Sequence, residues 1–231
     1  MRKLFLLTIM MVQTILIFAQ SETGVQSDPL GLCPDGNHPH AIDMGGGILW
    51  ACCNVGASSP AEYGSYFAWG ETKIKDYCNL RNYKWCKRKR KNYLLTKYCT
   101  SSYKGIVDNR TQLELSDDAA WINWGAPWRI PIVNEIWDLF DNCTWTWTTI
   151  GDVKGRLVTA PNGNRIFLPA AGFSGDMGPA GIDWFGSYWS SLLVPDYPDY
   201  ARELHFDGHE LSANNGGVRE NGNSVRPVRM K

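Results

Sequence analysis

Eleven tryptophans, ten tyrosines and eight phenylalanines in 231 residues are the strongest constraint on how this chain can fold. Rings of this size either fill a core or stand at a surface built to receive a ligand. Aromatic residues favour strands, and 23 glycines supply turns, so the chain reads as strand- and loop-rich. Its apolar share of 44% against 20% charged is enough to bury a core. The length suits one generous domain or two small ones. Lys plus Arg number 23, as do Asp plus Glu, so the balance carries no electrostatic footprint of a nucleic-acid binder. A coiled coil, a collagen and a polytopic membrane protein are excluded by composition.

Residues 1–19 read as a signal peptide. Arg2 and Lys3 precede an apolar run from Leu4 to Phe18, and Ala19 offers a small residue for cleavage. The run is shorter than the ~20 residues that span a bilayer and is broken by Thr8, Gln13 and Thr14. Residues 20–36 are polar and rich in turn formers, a linker into one domain over 37–231.

Export makes the seven cysteines informative, because an oxidising compartment favours bridges. Cys52 and Cys53 are neighbours and would be strained if joined to each other. Six cysteines allow about fifteen connectivities, which spacing cannot decide. Cys86 with Cys99 is the easiest local pair, a loop closure of roughly 3 kcal/mol. Cys78, among polar residues, is the candidate to remain single.

Two helices are expected, near 116–123 and 132–141. Ser116 can cap the first, with Asp117 and Asp118 at the positive end of its dipole and Gly125 closing it. In the second, Val133, Ile136, Trp137, Leu139 and Phe140 recur at helical spacing. Strands are expected over 165–168, 187–191, 200–206 and 224–230, and Trp145-Thr146-Trp147 is a local alternation. The pattern is α+β.

The stretch DDAAWINWGAPWRIPIVNEIWDL (117–139) resembles the helix–turn–helix block of the formylglycine-generating-enzyme branch of the C-type-lectin-like superfamily. Arg129, Pro131, Glu135 and Trp137 occupy its pattern. Ile132 stands in place of the capping threonine, and Ile136 is inserted between the acid and the tryptophan.

A broader resemblance runs through WACCNVGASSPAEYGSYFAWGET (50–72), LTKYCTSSYKGIVDN (95–109), DDAAWINWGAPWRIP (117–131), NCTWTWTT (142–149), NGNRIFLPAAGF (162–173), YWSSLL (188–193) and SVRPVR (224–229). In this order they resemble the family named for the major paralogous domain of Fibrobacter succinogenes, found in exported proteins of Bacteroidetes-type bacteria. The resemblance implies a single α+β, C-type-lectin-like domain with two short helices, several short mostly antiparallel strands, and its ends brought together. It also implies bridges Cys86–Cys99 and Cys53–Cys143, with Cys33–Cys52 as the remaining pair and Cys78 free. It brings no established activity.

Glycan binding leads among the candidate chemistries, since rings cover the apolar face of a sugar while polar groups hold its hydroxyls. The later half offers Trp184, Tyr188, Tyr197 and Tyr200 beside Asp196, Asp199, Asn214, Asn215 and Arg219. The opposing reading is that the tryptophans fill the core and the Asn–Gly runs make turns. The calcium-binding sugar motifs of true C-type lectins are absent from the sequence. The sulfatase-activating relatives use a cysteine pair in the C-terminal part of their domain, and no cysteine follows Cys143. No Gly-x-Ser-x-Gly elbow is present.

Along one strand, His205 and His209 would lie ~13 Å apart, too far for a shared ion. Asp207-Gly208 instead reads as a two-residue hairpin turn, with Leu204 facing Leu211 and His205 facing Glu210. His38 and His40 carry no stronger metal signal, and no cofactor or metal is expected. The run Lys87-Arg88-Lys89-Arg90-Lys91 reads as an exposed loop that can meet an anionic surface. The combined expectation is an exported, non-enzymatic module that binds glycan or a surface protein, with a purely structural surface domain as the alternative.

Overall fold

The computed structural model describes Cys33, Gly36, residues 38–89 and residues 92–231. The signal-peptide reading of 1–19 and most of the 20–36 linker lie outside the described residues. Cys33 is described and buried, so the packed domain includes a residue upstream of 37.

In chain order the elements are β1 (Ala41–Asp43), β2 (Ile48–Ala51), β3 (Phe67–Ala68), β4 (Cys86–Lys89), β5 (Asn92–Leu95), α1 (Ala119–Trp124), α2 (Val133–Asn142), β6 (Thr144–Ile150), β7 (Val153–Thr159), β8 (Arg165–Pro169), β9 (Phe173–Gly175), β10 (Gly178–Ala180), β11 (Phe185–Leu193), β12 (Tyr200–Asp207), β13 (Leu211–Val218), β14 (Gly222–Asn223) and β15 (Val228–Met230). They form five small sheets, ordered β1-β2-β15, β10-β9-β14-β3, β11-β12-β13, β4-β5 and β6-β7-β8. Among the described residues, these strands pair with one another antiparallel.

This corrects the expected fold class. Strand makes up 40% of the structure and helix 10%, so the fold is mainly β, and no C-type-lectin-like fold is shown. The alternating TWTWTTI of β6, opposite β7 across seven registered pairs, is one of the strands beyond those expected. Period-2 alternation with β-branched and aromatic residues is a strand signal even when only half of one face is covered.

The largest core lies where α2 meets the β6–β8 and β11–β13 sheets. Ile136 and Leu139 of α2 join Val158, Ile166, Leu204 and Phe206. A second core surrounds Trp69, Tyr98 and Trp189. Its two indoles are tied reciprocally: Trp69 Nε1 donates to the Ser190 carbonyl at 2.8 Å, and Trp189 Nε1 donates to the Phe67 carbonyl at 2.7 Å. Both donors are thereby satisfied in a dry interior, which lets such large rings be buried without an orphaned polar group.

The first helix start differs from expectation in its capping. Asp118, not Ser116, caps α1: its carboxylate accepts from the backbone of Ala120 and Trp121, after a short 3-10 turn over Leu115–Asp117. The same carboxylate accepts from Ile130 at 2.8 Å. Gly125 closes α1 at φ +80°, a conformation that favours glycine. Ile132 begins α2 without a side-chain cap, so Glu135 reaches back instead and accepts from the Ile132 backbone at 2.9 Å. Arg129 grips that carboxylate from the other side with both terminal nitrogens. The Arg-x-Pro-Ile-x-x-Glu pattern is therefore a helix-start device.

The β12–β13 turn lies one residue later than expected. Phe206 pairs with Leu211 and His205 with Ser212, leaving Gly208 and His209 at the tip. The Asp207 carboxylate accepts from the backbone of His209 and Glu210, a local turn that outcompetes the simpler Asp-Gly placement.

Candidate functional site

The nine glycan candidates do not converge. Tyr188 and Arg219 are buried and belong to the core. Tyr188 donates to the Pro169 carbonyl, while Arg219 donates to the Tyr83 hydroxyl and to the carbonyls of Lys97, Tyr98 and Pro198. Trp184 is 77% exposed but precedes β11, whereas Tyr197 and Tyr200 follow that strand's other end. A nine-residue strand separates these ends by roughly 26 Å. Asp196 is exposed near Tyr197, and Asp199 is ion-paired with Lys104. Asn214 lines a separate groove with Trp137 and Phe140. Asn215 donates to the Glu203 carboxylate at 2.9 Å.

Rings and polar groups do meet elsewhere, in a cleft of about 620 Å³. One wall is the loop from Tyr77 to Arg81, and Tyr93 of β5 stands beside it. Asp176 from the β9–β10 turn and Glu220 and Asn221 from the β13–β14 connection complete the lining. The loop is pinned by paired amides: Asn82 Oδ1 accepts from the Asn79 backbone, and Asn79 Oδ1 accepts from the backbone of Arg81 and Asn82. Asn82 also donates to the Tyr77 carbonyl at 2.8 Å. Beneath them Cys78 is buried, its backbone donating to Gly175.

The Tyr77 ring is 48% exposed, presenting a flat apolar face to solvent. Burial pushes the Glu220 carboxyl up, and the Asp199 and Asp176 charges push it further. The cleft thus offers ring faces, amides, a guanidinium and two carboxylates without a nucleophile–base pair. This cleft was not anticipated from the sequence; Asn79 and Asn82, both turn formers, were the local signal that could have located its loop. The approach of Glu220 and Asp176 depends on β14 pairing with β9, a long-range contact with no local signal.

None of the seven cysteines is disulfide-bonded. Cys86 and Cys99 border one small apolar cluster with Tyr83 and Leu95. The Cys53–Cys143 pairing is replaced by different neighbours: Cys143 Sγ faces the Met44 carbonyl, and Cys53 Sγ faces that of Ala57. Cys53 instead gathers with Cys33, His40 and Cys52, whose ligand-type atoms all lie within 4.8 Å of one another. The Cys52 thiol beside it, with His40 and Arg226, holds the Cys53 thiol below its ordinary pKa despite burial.

The described part of the basic run is strand rather than loop. Lys87, Arg88 and Lys89 are exposed on β4, opposite Leu94, Tyr93 and Asn92, while Arg90 and Lys91 lie outside the described residues. Strand alternation sends Lys87 and Lys89 to one side and Arg88 to the other, which divides the charge. At His205, Nδ1 lies 3.1 Å from Ser187 Oγ, and burial lowers its pKa. The carboxylate of Asp207 accepts both bonds of its turn through Oδ1.

No family model, no curated protein and no solved structure matches this chain.

Proposed function

We propose that this chain is an exported, non-enzymatic module that binds glycan in the Tyr77–Tyr93 cleft. The carrying observation is the convergence of two tyrosines with Arg81, Asp176, Glu220 and Asn221 around one concave surface. Ring faces suit the C–H surface of a sugar, and planar amide, carboxylate and guanidinium groups suit its hydroxyls. Support for export comes from the leader-like order of residues 1–19 and from the seven motifs that resemble the Fibrobacter succinogenes major paralogous family.

Tyr77 and Arg81 are exposed, so Y77A and R81A leave the core untouched. The exported chain is applied to an array of host, plant and bacterial glycans. Binding that is lost in Y77A and weakened at least tenfold in R81A is expected. No binding to any glycan, or equal binding by both variants, overturns the reading.

A surface assembly domain is the second reading. It is favoured by the burial of Trp50, Trp69, Trp128 and Trp189, which commits those rings to the interior. Retention of a second surface protein by both wild type and Y77A, without glycan binding, distinguishes it.

A further inference from the structure

We infer that Cys33, His40, Cys52 and Cys53 form a zinc site. Their four ligand-type atoms lie within 4.8 Å of one another, and His40 Nδ1 is 3.1 Å from Cys52 Sγ. Zinc held tetrahedrally at about 2.3 Å from sulfur and 2.0 Å from nitrogen requires donor separations of about 3.5–3.8 Å. Bringing the widest-spaced donors together by about 1 Å and opening the 3.1 Å His40–Cys52 pair by about 0.4 Å closes the shell. Three thiolates and one imidazole are the soft, nitrogen–sulfur donor set that selects zinc over oxygen-seeking cations.

The backbone around the site is organised before any ion arrives. Cys52 donates to the His40 carbonyl at 2.9 Å, extending the β1–β2 ladder one step past Ala41 and Ala51. Cys33 donates to the His38 carbonyl at 2.8 Å, which turns the upstream segment toward the same point. Trp124 packs against the His40 ring at 4.6 Å between centroids and Trp128 at 5.3 Å, fixing the imidazole plane and covering it. The three cysteines are buried.

A disulfide explains the cluster less well. Adjacent Cα atoms sit about 3.8 Å apart, below the usual span of about 4.4–6.8 Å for a bridge, so Cys52–Cys53 is strained. Joining Cys33 to either one leaves the other buried thiol and the half-buried imidazole without a shared task. Zinc uses all four. Three thiolates around a divalent ion leave one net negative charge, and the buried Arg226 guanidinium supplies the opposite sign. It donates to the Cys52 carbonyl at 3.0 Å and the Ala51 carbonyl at 3.2 Å. Such outer contacts orient ligands and balance the ion's environment.

The test uses the full exported chain, isolated without added metal or reductant, and measures metal by plasma mass spectrometry. One zinc per chain is expected, falling at least tenfold in C52S and C53S and unchanged in C86S and C143S. A second measurement guards against misfolded variants: zinc is exchanged for cobalt(II) in wild type and in H40C. Wild type should give the d–d bands of tetrahedral cobalt and a thiolate charge-transfer band. H40C should retain the ion and strengthen that band by about one third, since four thiolates replace three. Isolation without zinc and with Cys33 bridged to Cys52 or Cys53 overturns the inference. A cobalt spectrum identical in wild type and H40C overturns it equally.

Discussion

The Arg219 guanidinium donates from Nε to the Tyr83 hydroxyl at 2.7 Å, deep in the second core. Its remaining nitrogens reach three backbone carbonyls, and its plane lies within 5.1 Å of the Trp69 ring centroid. One side chain thus joins the loop at Lys97–Tyr98, the turn at Pro198 and the end of β13. An arginine that composition offers as a ligand contact is a strut.

Removing it should be costly. R219A leaves the Tyr83 hydroxyl and several buried carbonyls short of a donor, a loss of at least about 3 kcal/mol. R219K should recover little, because an ammonium cannot reproduce five donors in a planar fork. Urea denaturation measures both, and an R219K midpoint equal to wild type would refute the strut.

Stability should fall between about pH 4.5 and 7 through Glu203. This buried carboxylate accepts from Asn223 at 2.5 Å and Asn215 at 2.9 Å, yet burial raises its pKa from 4.5 to about 7. The folded state then holds a proton that the unfolded state has released, so stability is lost as pH rises through this window. The magnitude is about 3 kcal/mol. Thermal melts of E203Q should lack that decline. A parallel pH profile for wild type and E203Q would show another group to be responsible.

At acid pH the sign reverses for Asp117. Burial pushes its carboxyl up, but Lys97, Tyr98 and Lys84 more than offset this and hold it below the usual carboxylate range. The stability it contributes is present above its unfolded pKa and disappears as pH falls through the folded value. D117N should flatten the acid limb of the melting profile; an unchanged limb would exclude this network as its source.

D118A should destabilise the protein by about 2–4 kcal/mol, more than a simple cap, because three backbone N–H groups lose their acceptor. Chemical denaturation measures it. A loss below about 1 kcal/mol would mean water replaces the carboxylate at all three.

Changing Lys87, Arg88, Lys89, Arg90 and Lys91 to Ser should abolish low-salt retention on heparin while leaving the melting temperature unchanged. Retention by wild type should collapse as salt rises, since exposed charge is screened over ~8 Å. Equal retention by both proteins would reduce the run to a solvated strand.

Local signals located several elements well. The helical spacing of Val133, Ile136 and Leu139 lies within α2, and Gly125 ends α1. These features act through neighbours three or four residues away, which a sequence displays directly. The Asp207-Gly208 turn shifted because the Asp207 carboxylate binds the His209 and Glu210 backbone. The Ser116 cap failed because Asp118, two residues on, competes for the same role. The winner is chosen by a partner such as the Ile130 N–H, twelve positions downstream of Asp118.

The sequence by itself determined the period-2 strands, the turn residues, the charge balance and the load of rings to be buried, because each is a property of composition or short spacing. Which rings and charges are buried was decided by the tertiary structure alone. Trp189 and Trp184 lie five residues apart on one segment, yet one is 1% and the other 77% exposed. Arg219 and Arg202 are both β-region arginines, yet only Arg219 finds a tyrosine and three carbonyls waiting. The gathering of His40 with Cys33, Cys52 and Cys53 has the same origin. A ladder bond joins His40 to Cys52 across twelve residues, and long-range backbone pairing, unlike propensity, leaves no mark on the residues it brings together.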